Sequence, residues 1–403
     1  MPDHICCGSS VAADLDLAVL EHLESTGAKA PSSSGFASAA AYKHYAPSLS
    51  TCEPTHIDIA LAFDIPAKAI RGVVTTTFKN PRALPGISRT VLLNAVGFLD
   101  VAVKGVGVEV WTYDGERIAV TWSEVFAAGE ERVVEVAYAV EKPLGGLYFE
   151  VPTADFPNRV AHAVTHNEPE RARYWLPCID YPAVRTTLSF ALTHPSSTTA
   201  IANGTLISET GTTIKTTRYA LDLPCPSYLI CLAVGDMVFY EDEAVDGMPV
   251  RYYAPRGTAP ADLKRSFGTT PAMLRWLQKK VGVKFPYPKY YQIATYLVGG
   301  AMENISLVTW VADVVSDETT ALDRARSTAS TNIHEMAHSY FGDLLVIRIL
   351  GNLFPPTLVA DPFPPSPETL WLEATATIED AHYELLTASD GYLSEAARYT
   401  RPI

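Results

Sequence analysis

The chain has 403 residues, of which 48% are apolar and 19% charged, with a formal net charge of -14. That length is enough for two or more domains, each with a core of its own. The acidic balance argues against broad nucleic-acid binding and against an anionic membrane surface as the main partner.

The opening MPDHICCGSSVAADLDLAVLEHL has no basic region followed by an apolar stretch and a small-residue cleavage site, so no signal peptide is expected. Apolar runs such as YLICLAVG are too short to span a bilayer. A cytoplasmic location is therefore expected. Six cysteines (Cys6, Cys7, Cys52, Cys178, Cys225 and Cys231) include no CxxC pair and read as free thiols. Residues 1–46 join a short helix candidate, DLDLAVLEHLES, to the Ser/Ala/Gly-rich STGAKAPSSSGFASAAA, and read as a flexible N-terminal segment.

From about Thr55 the texture changes to short alternating segments: THIDIALAFDI, IRGVVTTTFKN, RTVLLNAV, VEVWTYD, RIAVTWS and RVVEVAYAV. TTLSFALTHP, TAIANGTL, TTIKTTRYALDL and YLICLAVGDMVFYE continue the pattern. Alternation punctuated by turn residues predicts a large antiparallel β domain over 47–254. ADLKRSFGTTPAMLRWLQKKVG then predicts one helix, with Leu263, Phe267, Met273, Leu274 and Leu277 on its apolar face and Gly282 as its stop. YYQIATYLVGG predicts a strand and ALDRARSTASTNIHEMAHSYFGDLLVI a longer helix. The run ILGNLFPPTLVADPFPPSPET, with six prolines, excludes a regular helix, and WLEATATIEDAHYELLTA is helical again.

Inside the longer helix lies HEMAH, residues 334–338. Side chains at i and i+4 share a helix face, so His334 and His338 can offer imidazoles to one metal ion. Glu335, one step round, can take a proton from a metal-bound water without ligating it. In a chain with so few histidines, a chance match is expected only roughly 1–2% of the time.

Three stretches extend this into a family resemblance. GGAMENISLVTW at 299–310, HEMAHSYFGDLL at 334–345 and THNEPERARYWLPCIDYP at 165–182 resemble segments of the M1-type zinc aminopeptidases, gluzincins of the aminopeptidase N and leukotriene A4 hydrolase kind. FPYPKYYQ at 285–292 and IANGTL at 201–206 match more weakly, in the expected order. The resemblance implies a multidomain β plus α/β fold: a large antiparallel β N-terminal domain followed, over 255–403, by a truncated thermolysin-like catalytic domain. It implies Zn(2+) as cofactor, with His334 and His338 as ligands. It places Gly299, Gly300, Ala301, Met302 and Glu303 along the substrate cleft, Glu303 binding the free α-amine of a peptide. A carboxylate paired with an ammonium selects the first residue of a chain and excludes internal bonds. The family's second amine anchor, usually glutamine, falls at His166, and imidazole offers one acceptor at most. Arg171 and Arg173 are read as structural, and Cys178 as a buried thiol.

The pattern departs from the family after the zinc helix. The third ligand of the family is a glutamate on the next helix, and its spacing from His338 lands here on Thr357. The nearest lookalike, LWLEATAT, offers Glu373, shifted by one position relative to Trp371. Either the proline-rich run is a loop insertion and Glu373 returns to the metal, or the run has replaced the ligand helix. Lengthening a loop costs little, whereas a one-residue slip turns a helical side chain by about 100°. Asp361 and Glu368 are lesser candidates. None of Tyr383, Tyr392 and Tyr399 stands at the family's distance for the oxyanion-stabilising tyrosine.

The expected function is that of a zinc aminopeptidase-like hydrolase, a metalloprotease releasing N-terminal residues from short peptides, weakly if at all. The alternative is a catalytically dead family member acting as a peptide-binding or interaction scaffold. Expected partners are short peptides with a free N-terminus, with no nucleic acid and no membrane. Self-association is expected through apolar surface left bare on the HEMAH and LWLEATAT helices.

Overall fold

The computed structural model describes residues 52–80 and 89–344. The expectations for residues 1–46, the proline-rich run, Glu373 and the LWLEATAT helix lie outside these residues.

Among the described residues there are four sheets. The largest has seven strands in the order Thr205–Thr210, Ile214–Pro226, Arg185–Pro195, Glu53–Asp64, Ala69–Lys79, Glu131–Glu141 and Leu99–Lys104. Period-two alternation builds it: in Ala69–Lys79 the residues Ile70, Val74 and Phe78 point inward and are buried, while Arg71 and Val73 face outward. Its pairs are antiparallel except one, since Glu53–Asp64 runs parallel to Arg185–Pro195, with Ile59 opposite Phe190. A four-stranded sheet (Thr199–Ala202, Leu232–Gly235, His162–His166, Gly146–Glu150) and a three-stranded one (Thr90–Asn94, Arg117–Trp122, Val108–Tyr113) complete the β domain. Trp175 is fully buried between them. Its indole donates to Asn167 Oδ1 at 2.8 Å, and its carbonyl accepts from the Tyr138 hydroxyl at 2.7 Å.

The α/β part is a mixed five-stranded sheet in the order Met237–Glu241, Val250–Pro255, Tyr290–Thr295, Leu307–Val311, Ala301–Met302. Val250–Pro255, Tyr290–Thr295 and Leu307–Val311 are parallel neighbours. Parallel neighbours need a crossover, and helices α1 (Pro260–Phe267) and α2 (Thr270–Val281) supply the first. The sequence pattern predicted one helix here. The chain breaks at Gly268 because Pro271 has no N–H to continue the ladder and instead starts the next helix within its first turn. Helix α3, Ala321–His338, lies across α1 and α2. Together these elements form a mostly β N-terminal domain followed by a smaller α/β domain that resembles part of a thermolysin-like catalytic fold.

The expected continuation of α3 to residue 347 fails. The chain turns at Tyr340–Asp343, where the Asp343 amide donates to the His338 carbonyl at 2.9 Å. Gly342 has φ +141, and a Cβ there would sit 3.0 Å from His338 Nδ1. Only glycine lets this turn fold under the histidine. The bare apolar surface expected on the HEMAH segment is not found. Ile333, Met336, Ala337 and Tyr340 are buried in the core of the α/β domain. Tyr340 packs edge-on to Phe285 at 6.2 Å and donates to the Val283 carbonyl at 3.0 Å.

The two domains share a hydrogen-bonded seam. Asn203 Nδ2 donates to the Ile305 carbonyl at 2.6 Å, and Ser306 Oγ accepts from the Gly204 amide at 2.8 Å. Arg185 donates to the carbonyls of Pro224, Asp343 and Leu344. Lys289, fully buried, donates to the Ala202 carbonyl and lies over the rings of Tyr219 and Tyr291. No helix among the described residues is long and apolar enough to cross a membrane.

Candidate functional site

Helix α3 brings His334 and His338 together because they are one turn apart. Their Nε2 atoms are 3.1 Å apart, and the rings meet edge to face at 4.7 Å. The tautomer of His338 follows from its other nitrogen. Nδ1 lies 3.1 Å from the Phe341 carbonyl, which can only accept, so Nδ1 carries the proton. In the neutral ring His338 Nε2 is then the acceptor, with His334 Nε2–H as the donor. Glu335 is buried on the side of α3 that faces Tyr290.

Glu303 enters from the sheet. Ala301–Met302 is an edge strand, bonded on one side to Trp310 and Thr309 of Leu307–Val311, and Glu303 follows it at once. The Glu303 carboxyl is buried, with Oε1 at 4.0 Å from His338 Nδ1. Met302 and Ala301 are buried and Gly299 and Gly300 half-buried, and the run 299–303 ends at that carboxylate. His166 closes the neighbouring strand His162–His166 from the β domain. Its Nδ1 is sealed from solvent and has no hydrogen-bond partner. Burial, aided by the nearby Arg171 charge and opposed by Glu303, pushes its pKa down to about 4. His166 is therefore a neutral imidazole at pH 7.

Asp343 is the residue that sequence reasoning missed. Its carboxyl is fully buried, and neither oxygen has a hydrogen-bond partner. Burial raises its pKa well above the carboxylate range, and the charges of Glu303 and Glu335 raise it further against the opposing Arg185. The signal available was the Gly-Asp step directly after the HEMAH helix.

Zinc, the cofactor expected from the sequence, is overturned on this geometry. Among the described residues no group of three or more His, Cys, Asp or Glu side chains could hold a metal ion. The histidine pair alone suits a tetrahedral ion, whose nitrogen ligands lie about 3.3 Å apart. A protein site needs at least a third ligand, however, and Glu303 approaches the Nδ1 side of His338, which is already spent on Phe341. Glu373 lies outside the described residues. The two structural assignments in the 165–182 segment can be placed: Arg173 bridges Asp180 at 3.0 Å and Glu170 at 2.8 Å, and Arg171 donates to the Tyr148 hydroxyl at 3.1 Å. Cys178 is a buried free thiol, its pKa raised by burial.

The titration of His166 has a measurable consequence. Its folded pKa of about 4 lies below the ordinary 6.5, so the unfolded chain takes up a proton that the folded chain resists. The stability involved is complete above pH 6.5 and is lost as pH falls toward 4. In H166Q this loss disappears. Between pH 7 and 4.5 the wild type is expected to lose about 2–3 kcal/mol more than H166Q. Urea unfolding at the two pH values checks it, and parallel losses in the two proteins contradict it.

Two family models match the chain: the peptidase M1 N-terminal domain over residues 53–229 and the peptidase family M1 domain over residues 265–354. Aminopeptidase M1 of Arabidopsis thaliana is 31% identical over 196 residues, which cover 48% of this chain and 22% of that protein. Aminopeptidase N of Acetobacter pasteurianus is 29% identical over 228 residues, covering 55% of this chain and 64% of the relative. Aminopeptidase N of Lactobacillus helveticus is 25% identical over 316 residues, covering 75% and 36%. The match thus spans between about a fifth and two thirds of these curated relatives. A crystal structure of a two-domain M1 zinc metallopeptidase mutant bound to L-arginine shares the fold, with a TM-score of 0.57 and 22% identity over 74% of this chain and 66% of that one.

Proposed function

This chain belongs to peptidase family M1, the gluzincin aminopeptidases, and from that premise we propose that it captures short peptides by their free N-terminus without the metal chemistry of its relatives. The observation that carries this reading is the buried Glu303 carboxylate at the end of the edge strand Ala301–Met302, beside the neutral His166. A primary ammonium has three donors, and a carboxylate plus one imidazole nitrogen can accept from it. Among the described residues the outer edge of Ala301–Met302 has no partner strand and offers backbone groups to an extended peptide, so affinity comes from the main chain and selectivity from the terminus. His334, Glu335 and His338 form a polar floor beneath that amine in this reading, with Glu335 as an acceptor.

The test is peptide binding with the amine free or blocked. A short peptide with a free N-terminus is expected to bind at least about tenfold tighter than its N-acetylated form, the scale of one charge-assisted hydrogen bond. E303Q should erase most of that difference, because it keeps the shape and removes the charge. Calorimetric titration reads both. Equal affinity for free and acetylated peptides would sink the reading.

A further inference from the structure

Where helix α2 ends, the surface opens into a hollow of about 370 Å³, lined by Asp246, Arg275, Gln278, Lys279, Val283 and Lys284. The sequence supplies its charge: RWLQKKVGVK at 275–284 carries four cations and no carboxylate. Arg275 and Lys279 stand one helical turn apart and share a face. Gly282, at φ +75, ends the helix in the left-handed region that glycine enters freely. The Gln278 side chain then accepts from the Phe285 amide at 2.8 Å, and the Val283 carbonyl accepts from the Tyr340 hydroxyl at 3.0 Å. These bonds fix the segment that carries Lys284 against the helix, and three cations line one hollow.

Fold stability alone does not ask for this arrangement. Like charges four residues apart on a helix repel each other. The helix dipole places only about half a negative charge at a C-terminus. Lys280, on the same last turn and 5.5 Å from the Trp276 ring centroid, already answers it. Asp246 is the one carboxylate in the lining, and Gln278 Nε2 lies 3.4 Å from its Oδ2. Arg275 reaches Glu243 at 2.5 Å, but the Glu243 side chain is 70% exposed, and so open a pair exchanges readily for a ligand. Lys279 and Lys284 pair with no carboxylate among the described residues.

We propose that this hollow binds a small phosphorylated anion with two adjoining phosphoryl groups, of which inorganic pyrophosphate is the simplest. Three lining cations against one carboxylate leave an excess that a single carboxylate ligand does not match and a diphosphate does. Arg275 offers a planar fork to one phosphoryl group, and Lys279 and Lys284 offer point charges to the other. The cationic run is confined to 275–284 in a chain of net charge -14, which favours a small ligand over a nucleic-acid strand. The site shares no residue with the amine-binding reading of Glu303 and goes beyond it, so either can fail without the other.

The experiment titrates inorganic pyrophosphate into the full chain by calorimetry at constant ionic strength. Saturable binding with a Kd of about 1 mM or below is expected, and K279Q/K284Q should weaken it at least about tenfold. D246N removes the one lining carboxylate and should tighten binding about two- to fivefold, while asparagine tolerates the φ of +51 at that position. K104Q/K142Q removes the same charge from exposed positions on the β domain and should leave affinity within about twofold. Absence of saturable binding overturns the proposal, as does unchanged affinity in K279Q/K284Q or weaker binding in D246N. Equal weakening in K104Q/K142Q and K279Q/K284Q shows a response to net charge alone and overturns the site. Every substituted side chain is exposed, so the outcome does not turn on whether a variant folds.

Discussion

Replacing Asn203 by alanine is expected to lower the stability of the protein by about 3–5 kcal/mol, given about 1–3 kcal/mol for each buried group left without a partner. Asn203 is fully buried where the two domains meet. Its Nδ2 donates to the carbonyls of Leu229, at 3.1 Å, and Ile305, at 2.6 Å, while its Oδ1 accepts from the Cys231 amide at 2.5 Å. Alanine strips one side chain from three backbone groups and leaves them without that partner. The neighbouring Gly204 is equally constrained. It has φ +79, and a Cβ there would fall 2.0 Å from the Ala220 carbonyl oxygen, so G204A should also destabilise by at least about 2 kcal/mol. S306A is the milder control, losing only the bond from the Gly204 amide, at about 1 kcal/mol. Denaturant unfolding by fluorescence and circular dichroism measures all three. A loss below about 1 kcal/mol in N203A would show that the seam does not depend on this side chain.

The second large effect is on turnover. Hydrolysis of an amino-acid arylamide is expected to run at least about 10³-fold below that of a family enzyme with a complete metal site. The described residues supply no set of three ligands to hold a metal that would activate a water. Peptide affinity is expected to be the same with and without a chelator, because in the proposed reading Glu303 and His166 accept the ammonium directly. The comparison is wild type against E335Q, which keeps the shape of the side chain and removes its basicity. Turnover that is robust, lost in E335Q and sensitive to chelation would overturn both this expectation and the proposed function. Background rates shared by both proteins support it.

Much of this was legible in the sequence for local reasons. Period-two alternation marked the β strands, as in Ala69–Lys79, because a strand's faces alternate strictly. The four-residue spacing of His334 and His338 put the two imidazoles on one helix face, since that spacing is a property of any helix. The GGAMEN run supplied Glu303. What depends on long-range contact was not legible. Nothing local marks Glu53–Asp64 as running parallel to a strand more than a hundred residues away. The break between α1 and α2 has a local cause in Pro271, but the apolar spacing runs through it unbroken.

The site divides in the same way. Sequence alone determined which side chains could do chemistry, because residue type and helical spacing are carried by the chain itself. Only the tertiary structure decided what they can do together. The Phe341 carbonyl uses His338 Nδ1, Glu303 approaches that same side, and burial holds His166 neutral. The same packing puts the orphaned carboxyl of Asp343 near Glu303 and Glu335. Charge state and ligand geometry depend on desolvation and on neighbours brought in from distant parts of the chain, and folding alone sets both.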